Sequence, residues 1–276
     1  MSAGDTRPIG IFDSGMGGLT VMRAIGARLP KERIVYLGDT ARLPYGTKSA
    51  ETVTRYAVQA VRHLRRYDVK AIVVACNTAS AVALPALEAA LSPLPVIGVV
   101  GPGARAAVGA TRTGRIAVIA TEGTVRGGAY ALAIHQLHPG AQVVQRACPL
   151  FVALAEEGWV DGPVAALTAE RYLSDIFAGD AASRPDTLVL GCTHFPALAG
   201  VIAKAAGPGV ALVDSAATAA EALAAVLEAR GLAQHAGGGA PQFLATDAIE
   251  RFARVGGLFL GQEVPAGSVE LVDLNQ

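Results

Sequence analysis

The sequence predicts an α/β protein made of two similar open parallel-sheet domains in a pseudo-twofold relation. Three observations carry that prediction. Short apolar runs alternate with helix-patterned stretches along most of the chain, as parallel strands joined by crossover helices require. The alternation restarts near Arg115. Two cysteines stand in nearly matching frames, Ala75-Cys76-Asn77-Thr78 and Gly191-Cys192-Thr193-His194, each directly after an apolar run.

The elements follow in order. Ile9-Gly10-Ile11-Phe12 reads as a strand, the turn Asp13-Ser14-Gly15-Met16-Gly17-Gly18 follows, and the pattern predicts a helix over about 19–29. A second strand, Ile34-Val35-Tyr36-Leu37, runs into a loop holding Pro44 and Gly46. A long amphipathic helix is expected over about 50–67, with Arg62-His63-Leu64-Arg65-Arg66 on a solvated face. Ala71-Ile72-Val73-Val74 leads to Cys76, a helix runs through residue 91, and the strand 96–100 closes the first half. Ile116-Ala117-Val118-Ile119-Ala120 then leads into Thr121 much as the first strand leads into Asp13, and Thr187-Leu188-Val189-Leu190 delivers Cys192. A helix is expected over 217–230, a strand near Phe243, a helix over 249–260, and a final strand at Val269-Glu270-Leu271-Val272. This tail is too short for a third domain and is expected to return to the first half. Residues 1–99 with 212–276 are thus assigned to one domain and 100–211 to the other.

Bulk properties exclude several classes. Of 276 residues 52% are hydrophobic and 17% charged, enough for a substantial core and too apolar for disorder. The 23 basic and 23 acidic side chains cancel, so the basic footprint of a nucleic-acid binder is missing. The short polar start shows no signal peptide, and no apolar run reaches the roughly 18 residues of a spanning helix. Three scattered cysteines argue for reduced thiols rather than a disulfide framework, and a cytoplasmic location is the expectation. Gly15-Met16-Gly17-Gly18 lacks the third spaced glycine of a dinucleotide fingerprint, and Gly46-Thr47-Lys48-Ser49 is no P-loop. No Cys-x-x-Cys or His/Cys cluster has zinc spacing, so neither metal nor cofactor is expected.

The remaining chemistry belongs to thiols and polar anchors. Ligands of open α/β sheets bind outside the carboxyl ends of strands, so two strand-end thiols suggest a pair facing one substrate in the cleft between the domains. Backbone N–H groups at a helix start favour a thiolate. Asn77, Thr78 and Thr193 offer hydrogen bonds to a carboxylate or ammonium group, His194 offers proton transfer, and Asp13 offers an anchor for an ammonium or a thiol. Cys148, in Arg146-Ala147-Cys148-Pro149, lacks polar companions and reads as structural.

At these residues the sequence resembles the glutamate racemases, within the cofactor-independent aspartate/glutamate racemase superfamily. The matching stretches run from Gly10 to Val21, from Tyr36 to Gly46, over Cys76-Asn77-Thr78-Ala79, over Gly191-Cys192-Thr193-His194-Phe195-Pro196, and at Asp214-Ser215-Ala216. The resemblance covers about residues 8–220 and little of the tail. It implies that Cys76 and Cys192 lie on opposite faces of the substrate Cα and exchange its proton, with Asp13 and His194 assisting. It implies substrate binding by Asp13-Ser14, by Pro44-Tyr45-Gly46, by Asn77-Thr78, by Thr121 and by Thr193-His194. A further family acid corresponds to Glu156 or Glu157, and Leu43 is expected to vary without consequence. The implied activity is interconversion of L- and D-glutamate feeding peptidoglycan synthesis, with glutamate as partner and a homodimer as the expected assembly. An aspartate racemase, or a related isomerase acting on a small dicarboxylate, is the alternative within the superfamily. A thiol redox protein and a non-catalytic binding protein are the alternatives outside it.

Overall fold

The strands form two parallel sheets, the first built from the N-terminal half together with the C-terminal tail and the second from the segment between them. The computed structural model describes residues 4–180 and 183–274. In the first half, strand β1 (Ile9–Asp13) passes through the glycine turn into helix α1 (Leu19–Arg28) and returns as β2 (Ile34–Gly38). Helix α2 (Ala50–Leu64) is capped by the Ser49 hydroxyl and extended by a 3₁₀ turn, Arg65–Tyr67, before β3 (Ala71–Val74). The helix expected through residue 91 is instead two, α3 (Asn77–Val82) and α4 (Leu84–Leu91). Pro85 explains the break, because proline lacks the N–H that helix interiors need and fits the first turn. Strand β4 (Val96–Gly98) ends two residues earlier than expected, and Val100 already opens helix α5 (Val100–Ala110).

The second half begins with β5 (Arg115–Ala120), followed by α6 (Glu122–Gly127) and α7 (Ala129–Leu137). Strand β6 (Gln142–Ala147), α8 (Leu150–Glu156) and α9 (Gly162–Leu173) lead to β7 (Thr187–Gly191). Helix α10 (Ala199–Ala206), β8 (Ala211–Asp214) and α11 (Ser215–Ala229) follow. Strand β9 (Gln242–Ala245), α12 (Ile249–Leu260) and β10 (Val269–Leu271) complete the chain.

The first sheet has the order β10-β9-β2-β1-β3-β4 and the second β6-β5-β7-β8, with every pairing parallel. The run β2-β1-β3-β4 repeats in β6-β5-β7-β8, so β5 occupies the place of β1 and β7 that of β3. Asp13, the last residue of β1, and Thr121, the residue after β5, therefore stand at the carboxyl ends of equivalent strands, and Cys76 and Cys192 lie two residues and one residue beyond another equivalent pair. The tail joins the first sheet, because β9 pairs with β2 and β10 with β9. Strand β8 pairs with β7, so the second sheet runs to Asp214 and the return crossing follows it, not the 211/212 boundary the sequence suggested.

The central strands are buried on both faces, which explains their continuous apolar runs. In β3, Ala71 and Val73 enter one core while Ile72 and Val74 enter another. In β7, Leu188 and Leu190 enter the same core as Ala71, and Val189 an outer one. One core is thus shared by the inner faces of both sheets, bringing their carboxyl ends toward a common cleft. Among the described residues, no helix is long and apolar enough to cross a membrane.

Candidate active site

The cleft is lined by residues from the ends of β1, β3, β5 and β7, together with the loop after β2 and helix α8. Cys76 and Cys192 both open into it, each more than nine-tenths buried. Of the residues expected from sequence, Ser14, Pro44, Tyr45, Gly46, Asn77, Thr78, Thr121, Thr193 and His194 also line it. Asp13 is fully buried behind the lining, within electrostatic reach of Cys76.

Local packing explains each placement. Asp13 Oδ2 accepts the N–H of Gly15 at 3.0 Å, and Oδ1 has no partner. The glycine turn lies against the second domain. A Cβ on Gly17 would stand 2.5 Å from His194 Nδ1 and from Thr193 Oγ1, so only glycine allows this approach. The Thr20 hydroxyl, within reach of both the Gly17 and Thr193 carbonyls at 2.9 and 3.2 Å, ties the turn to the second domain. On the other wall, Asp39 receives the Tyr45 hydroxyl, Arg42 Nε at 2.7 Å and the Thr246 hydroxyl at 3.0 Å, which fixes the 42–45 loop. A Cβ on Gly46 would meet Thr121 Cβ at 2.7 Å, so this loop too crosses closely to the second domain. The Thr78 hydroxyl lies 2.9 Å from that of Thr121 and 3.2 Å from that of Thr124. Tyr130 donates to Asn77 Oδ1 at 2.7 Å, which turns the buried, unpartnered Asn77 Nδ2 into an available donor.

The two thiols sit in different electrostatic settings. Burial, reinforced by the Asp13 carboxylate, pushes the Cys76 thiol up to about 12, against the Ser14 hydroxyl and the Ala79 N–H. The Ala79 N–H reaches Cys76 Sγ at 3.5 Å from the first turn of α3. Burial also raises the Asp13 carboxyl, opposed by the charge of His194. Cys192 Sγ lies 3.7 Å from His194 Nδ1, whose Nε2 is 3.1 Å from Glu156 Oε1. Burial disfavours the imidazolium, yet its hydrogen bonds to Cys192 and Glu156 prevail and push His194 up to about 10. The protonated ring donates from both nitrogens, one toward Cys192 and the other toward Glu156.

Glu156, not Glu157, is the acid at the site: its carboxylate reaches His194, whereas the Glu157 side chain is 62% exposed. Leu43 is expected from sequence to vary without consequence. Leu43 lines the cleft and packs against the core because the buried Tyr45–Asp39 contact pulls the loop inward. Sequence reasoning missed Val152 in the lining, and Arg251 and Phe259 behind it. Arg251 donates to Glu156 Oε2 at 3.0 Å, and Phe259 meets His194 edge-on at 5.0 Å. Cys148 lies outside the lining, fully buried, its thiol pushed up to about 12 by burial. Among the described residues, no cluster of three or more His, Cys, Asp or Glu side chains could hold a metal ion.

Comparison with known proteins gives this arrangement its context. The family model described as Asp/Glu/Hydantoin racemase matches residues 9–223. The chain belongs to that family. Near-full-length similarity to glutamate racemases narrows this further, and the protein is an amino-acid racemase. A glutamate racemase of Geobacter metallireducens is 52% identical over 269 residues, covering 97% of each chain. The glutamate racemase of Francisella tularensis, solved in complex with D-glutamate, matches with a TM-score of 0.90 at 38% identity. That match covers 98% of this chain and 99% of the Francisella chain. The Thermus thermophilus glutamate racemase, solved with beta-chloro-D-alanine, matches with a TM-score of 0.87 at 46% identity over 98% and 99% of the two chains. Both of these solved glutamate racemases thus share the fold over nearly the whole chain.

Proposed function

We propose that this protein interconverts L- and D-glutamate without a cofactor, Cys76 and Cys192 acting from opposite faces of the substrate Cα. One observation carries the reading: two thiols that follow equivalent strands open into one small cleft, each beside its own acid or base. The full-length similarity to glutamate racemases supports the substrate. Production of D-glutamate for peptidoglycan synthesis is the role we infer.

One cysteine thiolate takes the α-proton, so an S–H bond forms as the C–H bond breaks. The electron pair left on Cα spreads into the α-carboxylate. The opposite thiol then gives its proton to the other face of Cα and becomes a thiolate. The configuration inverts, and the two sulfurs have exchanged protonation states. An amino-acid α-proton is far less acidic than a thiol, so preorganised donors must stabilise the developing enediolate. In this reading Asn77 Nδ2, the Thr78 and Thr121 hydroxyls and the Thr193 side chain, all at the cleft, supply those donors. Ser14 and the Pro44-Tyr45-Gly46 segment complete the binding surface. The buried Asp13 carboxyl lies within electrostatic reach of Cys76, and a protonated His194 supports negative charge on Cys192.

Alanine at either cysteine removes one proton carrier. Each variant is expected to lose racemisation in both directions by roughly 10²–10⁴-fold, the usual scale of positioned acid–base catalysis, while a thermal melt checks that the fold is retained. Cys148→Ala should leave the rate near wild type. Wild-type-like racemisation by Cys76→Ala or Cys192→Ala would overturn the reading. Racemisation of aspartate in preference to glutamate would replace the substrate.

A further inference from the structure

We propose that Arg251 is a positioning residue, holding Glu156 across the cleft and through it aligning His194 with Cys192. The chain of contacts is continuous. Cys192 Sγ lies 3.7 Å from His194 Nδ1, His194 Nε2 lies 3.1 Å from Glu156 Oε1, and Glu156 Oε2 accepts from Arg251 Nη2 at 3.0 Å. Each carboxylate oxygen of Glu156 thus has one cationic donor, which fixes the plane of the carboxylate.

The two ends of this chain come from different domains. His194 and Glu156 follow β7 and β6 of the four-stranded sheet. Arg251 sits in the first turns of α12, which connects β9 to β10 of the six-stranded sheet. The same helix places Phe259 edge-on to the His194 ring, with centroids 5.0 Å apart, so α12 braces both members of the His194–Glu156 pair. Its inner residues Phe252, Val255 and Phe259 are buried, which anchors the helix while the Arg251 side chain remains 39% exposed. Arg251 also comes within 3.7 Å of the exposed Glu157, a longer contact that does not compete with the 3.0 Å hydrogen bond. Loosening this brace lets the imidazolium drift from the sulfur it serves. The transition state for proton transfer at Cys192 rises, while that at Cys76 does not.

This inference rests on Cys192 being one of the two proton carriers, and the experiment separates the two claims. Racemisation is measured in both directions with protiated and α-deuterated glutamate for wild type, Arg251→Ala, Arg251→Lys and Cys192→Ser. Arg251→Ala is expected to lower kcat/KM roughly three- to tenfold, between an exposed pair and a buried charged hydrogen bond. The fall must be equal in both directions, because the two enantiomers are equal in free energy. The isotope effects must not be equal. The α-deuterium effect on kcat/KM should rise for the enantiomer whose proton goes to Cys192 and fall for the other, the same enantiomers that Cys192→Ser shifts. Arg251→Lys should restore most of the rate. If Arg251→Ala leaves both isotope effects unchanged or moves them alike, Arg251 does not position this side of the site. If Cys192→Ser alters neither rate nor isotope effects, the two-cysteine reading falls and this inference with it.

Discussion

Gly17 shows how tightly single residues define the site. It presents no side chain where a Cβ would stand 2.5 Å from His194 Nδ1. His194 is buried among Glu156, Cys192 and Phe259, so it has no free direction in which to yield. Gly17→Ala should therefore displace the imidazole and lower racemisation by about 10²-fold, the scale of a misplacement near 1 Å. Measured kcat alongside a thermal melt would check this, the melt falling by only the modest amount that overpacking costs. Other residues at this scale were only partly readable. The sequence narrowed the family acid to two neighbours, and the choice of Glu156 needed the helical phase of α8, which buries one and exposes the other. Leu43 carries no chemical signature, and its place in the lining comes from the buried anchoring of Tyr45 two residues on. Arg251 and Phe259 lie in a tail without motifs, and only the parallel return of β9 and β10 swings their helix over the site.

At the level of elements, legibility followed burial. The spans of β3 and α12 match the expected ones because their apolar runs or faces are buried. Strand β6, Gln142–Ala147, escaped notice because it is an edge strand with polar, half-exposed positions, so period and composition are both diluted. Strand β8 is likewise an edge strand, with Val213 its single buried position. Where a turn between elements is held by a charge, sequence likewise says little. Asp186, just before β7, accepts the Thr111 hydroxyl at 2.6 Å and the N–H groups of Arg112 and Thr113 at 2.8 and 2.9 Å. Burial raises its carboxyl, but these donors and Thr187 outweigh it and bring it down to about 2. A carboxyl lowered in the folded state stabilises the fold above its ordinary range and loses that contribution as pH falls toward 2. Asp186→Ala should cost about 2–4 kcal/mol at neutral pH, read by chemical denaturation, and the deficit should shrink under acid. An equal deficit at pH 2 and pH 7 would exclude this account of the turn.

For the whole molecule, the two-sheet plan was legible from the alternation and the repeated cysteine frames. How the distant segments are fastened was not. Lys70 and Glu32 form a buried pair at 2.5 Å, both side chains nearly inaccessible. Lys70 Nζ also donates to the carbonyls of Asp5 and Leu232, and Glu32 Oε1 accepts the N–H of Gln234. Four stretches far apart in sequence meet at one charge pair: the N-terminus, the turn before β2, the residue before β3 and the segment after α11. Lys70→Met would leave Glu32 buried without its cation and should destabilise the protein by about 3–5 kcal/mol, whereas Lys70→Met with Glu32→Gln should recover much of that. Denaturant midpoints of both variants provide the check, and equal losses would show that the pairing itself is unimportant.

The central claim is that two opposed cysteines move the α-proton. Its most direct measurement starts from one pure enantiomer of glutamate in D2O and follows the α-position by NMR or mass spectrometry from the first turnovers. Two separate carriers require the product enantiomer to be deuterated at Cα from the outset while the remaining substrate stays protiated. Product that keeps the original protium, or early deuterium in the unreacted enantiomer at the same rate as in product, would show one base serving both faces and contradict the account.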